Sequence, residues 1–277
     1  EKDSLTSYYP KVRDNDNISI FLCNKSGALF TSSTKHMKIS YYEENTNLNF
    51  HKSKNRKESL AFTYEDTLRR KELIANLVSN KKWLDVGTGS GGILDALDKL
   101  AGTIVSVEPK KIFRDELVKD GYEIYSEVKD VLQDDFDIIT LFHVFEHLTQ
   151  PFETLQLLYS KMKPGGKLII EVPHANDFLL SFLNLESFKE FTFWSEHLIL
   201  HTRITLSAFL KKSQFKNIII QGCQRYPLAN HLYWVKNNLP GGHIKWSELR
   251  TAEMDREYSH FLKSINMTDT LIAYAEK

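Results

Sequence analysis

The chain has 277 residues, 42% of them hydrophobic, with 36 Lys plus Arg balanced by 36 Asp plus Glu. That length suits one domain with insertions around a substantial core, and zero formal net charge offers no overall basic field for nucleic acid or an anionic membrane. The two cysteines, Cys23 and Cys223, make no C-x-x-C pair, so they are expected as free thiols of a reducing compartment rather than a zinc or redox centre.

In chain order, residues 1–60 are polar and punctuated and form an N-terminal extension or cap, with SKNRKES (53–59) as a turn-rich approach to a helix. Helical apolar spacing begins in YEDTLRRKELIANLVS and closes at Lys81 and Lys82. Strand and helix signals then alternate. KWLDVG, GTIVSVEP, the weaker YEIYSE, FDIITLFHV and GKLIIEVP are strands, and between them GGILDALDKL, KIFRDELVKDG and PFETLQLLYSKMK are helices. RITLSAFLKKSQF adds a helix, and KNIIIQGCQ and DTLIAYAEK add strands. The pattern predicts an α/β domain over 61–277 with a parallel sheet and right-handed crossovers. Two stretches break it, at about 174–203 and 225–267, and both leave from strand ends where ligands bind in such sheets. They are expected to form a substrate lid. No apolar run approaches the roughly 18 to 20 residues that cross a bilayer, and the polar start is no signal peptide, so a soluble, cytoplasmic protein with no membrane partner is expected.

The chemistry begins at WLDVGTGSGG. A glycine-rich turn between strand and helix lets the backbone approach a ligand closely. Gly87, Gly89 and Gly92 fit the dinucleotide spacing G-x-G-x-x-G, whereas Gly87, Gly89 and Gly91 give a tighter G-x-G-x-G loop. Asp85, two residues before the loop, is placed to orient it or to receive an ammonium. Glu108 ends the second strand, where a carboxylate takes both ribose hydroxyls of an adenosine. These residues alone leave a nicotinamide-dependent oxidoreductase and an S-adenosylmethionine enzyme both open.

WLDVGTGSGGILDAL, VSVEP, FDIITLFHVFEHLTQP and MKPGGKLIIEVPH together resemble, in order and spacing, the successive motifs of class I S-adenosylmethionine-dependent methyltransferases, over roughly residues 65 to 222. Within that class the chain is similar to the small-molecule and sugar methyltransferases (methyltransferase domain 23-like). The resemblance implies a Rossmann-like sheet of seven strands whose last strand runs antiparallel, with S-adenosyl-L-methionine as cofactor and S-adenosyl-L-homocysteine as product. It makes Gly87, Gly89 and Gly91 the methionine-side loop, Asp85 its support and Glu108 the ribose acid. It sets Phe142 and His143 on the methyl-donor side. The Asp that often contacts adenine is absent from the third strand, with Ser126 or Val128 in its place.

On the acceptor side, FWSEHLILH resembles the aromatic-His-Glu-His-Leu segment of related sugar methyltransferases, with Ser195 for the first His, Trp194 for the aromatic, and Glu196 and His197 retained. Trp194 replaces the tyrosine of the C-methylating members, and their cysteine cluster is absent, which favours O-methylation. Methyl transfer from a sulfonium needs an in-line nucleophile held close, and a base adds about 10²- to 10⁴-fold. His197 is the leading base, with Glu196 and His143 as further catalytic residues. His143, Glu146 and His147 would share one face if helical, yet no metal is expected. Arg225, Tyr226, Asn230, His231 and His243, with neighbouring aromatics, suit a carbohydrate-like small-molecule acceptor. The expected reaction is methyl transfer to a sugar or nucleotide-linked sugar hydroxyl; the rivals are an NAD-dependent oxidoreductase and a non-catalytic cofactor-binding member of the fold.

Overall fold

The structure is a computed structural model that describes residues 4–37 and 55–277. The remainder of the N-terminal extension, and the first two residues of the SKNRKES stretch, lie outside the described residues. The last part of that stretch is not a turn but opens helix α1 (Arg56–Phe62), because the Asn55 side chain accepts from the Glu58 backbone N–H at 2.9 Å and caps it.

The alternation forms as expected. Strands β4 (Lys82–Val86), β5 (Thr103–Val107), β6 (Glu123–Tyr125), β7 (Phe136–Phe142) and β8 (Met162–Pro173) pair in parallel in the order β6-β5-β4-β7-β8. β11 (Thr270–Glu276) then runs antiparallel to both β8 and β10 (Lys216–Cys223), completing seven strands. Successive residues face opposite sides of the sheet. Leu84, Val86, Ile139, Leu141 and Leu168 pack on one face with α5 (Pro151–Lys161) and α7 (Arg203–Lys212). Trp83, Ile138, Phe142 and Ile169 pack on the other with α2 (Tyr64–Val78) and α3 (Gly92–Leu97). Helix α4 (Lys111–Lys119) joins β5 to β6. The strand order reverses between β4 and β7, so the carboxyl ends of those strands, at Gly87 and His143, flank the switch point where ligands of such sheets bind.

The N-terminal segment has a partner that the sequence pattern did not reveal. β1 (Leu5–Tyr9), β2 (Ile20–Cys23) and β3 (Leu29–Thr31) form an antiparallel sheet whose fourth strand is β9 (Ile199–Leu200), from within the first insertion. That insertion closes at its base, where the Ala175 N–H donates to the His201 carbonyl at 2.8 Å. It contains a π-helical turn, Phe178–Phe182, and α6 (Glu186–Thr192). The second insertion carries α8 (Leu228–Asn237), α9 (Gly242–Lys245) and α10 (Ala252–Ser264). Both cysteines are free. Among the described residues no helix is long and apolar enough to cross a membrane.

Asp177 holds the π-helical turn by accepting from the Leu179 N–H at 2.7 Å and the Leu180 N–H at 3.3 Å, yet it is buried near Asp269. Burial, then the neighbouring carboxylate, raise its pKa to about 7. The folded chain therefore binds a proton there that the unfolded chain releases at ordinary carboxylate pH, so this group's contribution to stability falls as pH rises between about 4 and 7. Asp177→Asn keeps the cap acceptor without the titration. Its unfolding free energy, measured by urea titration at several pH values, should lose a negative slope of at most about 1.4 kcal/mol per pH unit relative to the parent.

Candidate functional site

The turn from β4 into α3 is left-handed at three glycines, with φ of +75° at Gly87, +58° at Gly89 and +76° at Gly91. Side chains rarely adopt that region, so the residue type follows from the backbone path. Space adds a second constraint. A Cβ on Gly87 would strike the Val144 side chain and one on Gly91 the Leu117 side chain, whereas one on Gly89 would meet nothing within 4 Å. Gly92 serves helix packing instead. As the first residue of α3 it faces Thr67 of α2, whose Oγ1 would lie 2.8 Å from an added Cβ. The loop proper is thus the Gly87, Gly89, Gly91 set, and the post-β7 turn at Val144 rests directly on it.

Glu108, at the end of β5, braces the same loop. Its Oε2 accepts from the Gly89 N–H at 2.6 Å and its Oε1 from the Lys110 N–H at 2.8 Å. Desolvation raises its pKa against those two hydrogen bonds. Asp85 points into the interior, where the Thr140 hydroxyl donates to its Oδ1 at 2.5 Å and itself accepts from the Trp83 indole N–H at 2.8 Å. It therefore ties β4 to β7. Phe142 is buried under the Arg70 guanidinium, 4.9 Å from the ring centroid.

Beyond β7 the chain is not α-helical. His143 is left-handed (φ +55°) and Phe145–His147 make a single 3₁₀ turn, and both histidines approach Glu146 Oε1 from this turn rather than from a helix face. His143 instead bridges two fully buried carboxylates, with Nδ1 3.0 Å from Glu146 Oε1 and Nε2 3.2 Å from Glu171 Oε1. Burial and the adjacent Arg225 lower its pKa, but the two carboxylates outweigh them and raise it. Burial likewise pushes Glu146 up, and the charge and hydrogen bond of His143 bring it below its ordinary value.

Glu196 and His197 arrive from the first insertion onto this turn. The Leu198 N–H donates to the Glu146 carbonyl at 2.9 Å, and His147 Nδ1 donates to the Glu196 carbonyl at 2.8 Å. The rings of His147 and His197 then lie 5.0 Å apart, with Trp194 5.2 Å from His197. Glu196 is fully buried. Desolvation, followed by the charge of His147, holds His197 well below the usual histidine range. The N-terminal segment supports this group from outside. Asp14 accepts from the Ser195 N–H at 2.8 Å and from its hydroxyl at 2.6 Å, His36 Nε2 donates to the Ser195 carbonyl at 2.7 Å, and the Arg13 guanidinium covers Trp194 at 4.6 Å.

The second insertion contributes less directly. Arg225 is committed to the fold: its Nε donates to Asp66 Oδ1 at 3.0 Å, its Nη2 to Asp66 Oδ2, and its Nη1 lies 3.1 Å from His143 Nε2. The Tyr226 ring packs 5.2 Å from His243, whose Nδ1 is 3.3 Å from Asn230 Oδ1, so these three form one group. His231 belongs to another, buried between Phe178 and Tyr258, with Nδ1 2.7 Å from the Tyr258 hydroxyl. Burial lowers its pKa to about 4.

Sequence reasoning missed the centre that joins these parts. Glu171 of β8 accepts from Arg69 through both oxygens at 2.9 Å and from Arg70 at 2.7 Å, besides facing His143. The signal was present: an acid inside IIEVP interrupts a strand whose parallel neighbours call for a continuous apolar run.

A glycine loop at the switch point, braced by an acid on the next strand, defines a nucleotide-type cofactor site in an α/β sheet. Residues 55–219, more than half of the chain, match the model of a family described as a methyltransferase domain, and the chain belongs to that family. Its sheet order and antiparallel last strand are those of the S-adenosylmethionine-dependent methyltransferases, whose cofactor is S-adenosylmethionine. The chain is 30% identical over 106 residues to a mitochondrial ubiquinone biosynthesis O-methyltransferase of Schizosaccharomyces pombe, a match covering 34% of this chain and 39% of that one. The curated relatives it matches are spanned over about half their length or less. In fold it is similar to a SAM-dependent methyltransferase of Archaeoglobus fulgidus (TM-score 0.51, 19% identity, 76% of this chain and 93% of that one). It is also similar to phosphoethanolamine N-methyltransferase 2 of Haemonchus contortus (TM-score 0.52, 14% identity, 85% and 60%).

Glu108→Ala removes the acceptor of two backbone N–H groups. It should lower unfolding free energy by about 1–3 kcal/mol, seen as a shifted urea midpoint at unchanged slope. Glu108→Gln, which still offers one oxygen, should lose less.

Proposed function

We propose that the chain transfers a methyl group from S-adenosylmethionine to a hydroxyl of a small polar acceptor, a sugar or nucleotide-linked sugar. The observation that carries this reading is the contact of the Gly87 loop with Val144, because it sets the cofactor loop against the turn that bears Glu146 and His147 and receives His197. In this reading Gly87, Gly89 and Gly91 admit the methionine moiety, Asp85 holds their strand, and Glu108 takes the ribose hydroxyls with the lone pairs its backbone contacts leave. Phe142, under Arg70, walls the donor side.

The acceptor enters over Trp194. An indole face beside imidazoles suits the apolar face and hydroxyl edge of a sugar ring. Tyr226, Asn230 and His243 form a second aromatic and polar surface for the rest of the molecule, while Arg225 and His231, both engaged within the fold, position the lid. Transfer to oxygen is supported by the curated relative named as an O-methyltransferase and by Trp194 in place of a tyrosine. The Glu146, His147 and His197 group draws the acceptor's proton as the oxygen attacks the methyl carbon and the C–S pair returns to sulfur. Glu196 and His143 act as positioning residues, the first through its carbonyl on His147 and the second through Glu146.

A panel of free sugars, nucleotide sugars and phenols, incubated with S-adenosylmethionine and followed by mass spectrometry for a methylated product, tests the acceptor class; methylation of phenols alone would refute the sugar. His197→Ala should lower turnover by about 10²-fold or more with S-adenosylhomocysteine affinity unchanged by calorimetry. A near-parental rate in that variant would remove His197 from the chemistry.

A further inference from the structure

The Glu146, His147 and His197 group has a composition and wiring that simple proton abstraction does not require. Their donor atoms lie within 4.8 Å of one another, and His147 Nε2 is 3.9 Å from Glu146 Oε1. Because a carbonyl only accepts, the Glu196 carbonyl fixes the proton of His147 on Nδ1 and leaves a lone pair on Nε2. This is the arrangement that orients histidine ligands of metals, whose far nitrogen donates to a carbonyl or carboxylate. Glu146 is wired in the same manner. Its Oε1 receives His143, and its Oε2, fully buried, has no hydrogen-bond partner among the described residues. His197 Nδ1 is likewise shielded from solvent without a partner. A buried carboxylate oxygen and a buried imidazole nitrogen left unmatched are costly unless a ligand meets them.

We propose that Glu146, His147 and His197 bind one divalent transition-metal ion, and that this ion holds the acceptor's hydroxyl beside the methyl donor. Two imidazoles and one carboxylate suit zinc and its neighbours rather than magnesium or calcium, and three protein ligands leave a position open for substrate. A tetrahedron with bonds of 2.0–2.1 Å has edges of ~3.4 Å, so the donors close by small side-chain rotations. The His143 ring, hydrogen-bonded to Glu146, and the Arg13 guanidinium, over Trp194, lie against the site, while Glu146 supplies a buried carboxylate.

The catalytic half of this inference rests on the proposed methyl transfer. A hydroxide on the ion accepts the acceptor's O–H proton and leaves as water, and the alkoxide oxygen stays on the ion. That oxygen forms the C–O bond as the C–S bond breaks toward sulfur, giving the methyl ether and neutral S-adenosylhomocysteine. Water replaces the product and releases one proton to solvent, restoring the hydroxide.

The test uses the full chain freed of metal by chelator and dialysis, titrated with Co²⁺ and read by its visible ligand-field absorption. One Co²⁺ per chain should bind, Zn²⁺ should displace it, and Mg²⁺ should not. Glu146→Gln and His147→Ala should each weaken Co²⁺ by more than about 10²-fold, the upper figure for losing only an outer partner. His260→Ala, a change at an exposed surface histidine, should leave binding unaltered. Absence of saturable binding in the parent chain overturns the site whatever the variants do, as does displacement by Mg²⁺ as readily as by Zn²⁺ or full affinity in folded Glu146→Gln. Calorimetry with S-adenosylhomocysteine on the same sample separates the two readings. Cofactor binding and turnover that survive metal removal overturn the metal and leave the methyltransferase standing, whereas Co²⁺ binding without cofactor binding does the reverse.

Discussion

The site hangs on a single buried carboxylate. Glu171 has no solvent exposure and lies within hydrogen-bonding reach of Arg69, Arg70 and His143 at once. Removing charges from water costs several kcal/mol each, which only several well-placed partners offset. The result is geometric rather than simply stabilising: helix α2, strand β8 and the turn after β7 are held in one register. Arg225 extends the network through Asp66 and His143, so the second insertion is tied to the same point. The opposing charges bring Glu171 well below its ordinary carboxylate value despite burial.

From that anchor the two halves of the site are brought together by close packing. The turn after β7 sits on the glycine loop so tightly that no side chain fits at Gly87. The first insertion then lays Glu196 and His197 across that turn through backbone hydrogen bonds, and the small N-terminal sheet holds the insertion from outside through β9 and Asp14. Glycine loop, histidines and N-terminal segment are thus one mechanical unit. A change at Asp14, remote in sequence, bears on the position of Trp194 and His197.

Along the chain, what is local was legible. The glycines at 87, 89 and 91 declare a left-handed loop because no other residue follows that path cheaply, and the alternation of apolar periods of two and about 3.6 declares the parallel sheet and its crossover helices. Asp85 and Glu108 follow from position, since a strand end fixes where an acid points. The antiparallel last strand came from family resemblance, as strand direction leaves no mark in periodicity.

What depended on long-range contact was not legible. HVFEHL has helical spacing, yet pairing of His143 with Glu171 on another strand bends it into a left-handed residue and a 3₁₀ turn. The N-terminal strands found their partner about 170 residues away, and Arg225 pairs with Asp66, 159 residues before it. His197 lies against His147 and is held well below the usual histidine range because burial, a property of the assembled interior, disfavours its charged form. The sequence by itself determined the fold, the glycine loop and the residue types available for chemistry; the tertiary structure decided which of them meet, since pairing across distant segments is governed by packing and desolvation that no local spacing encodes.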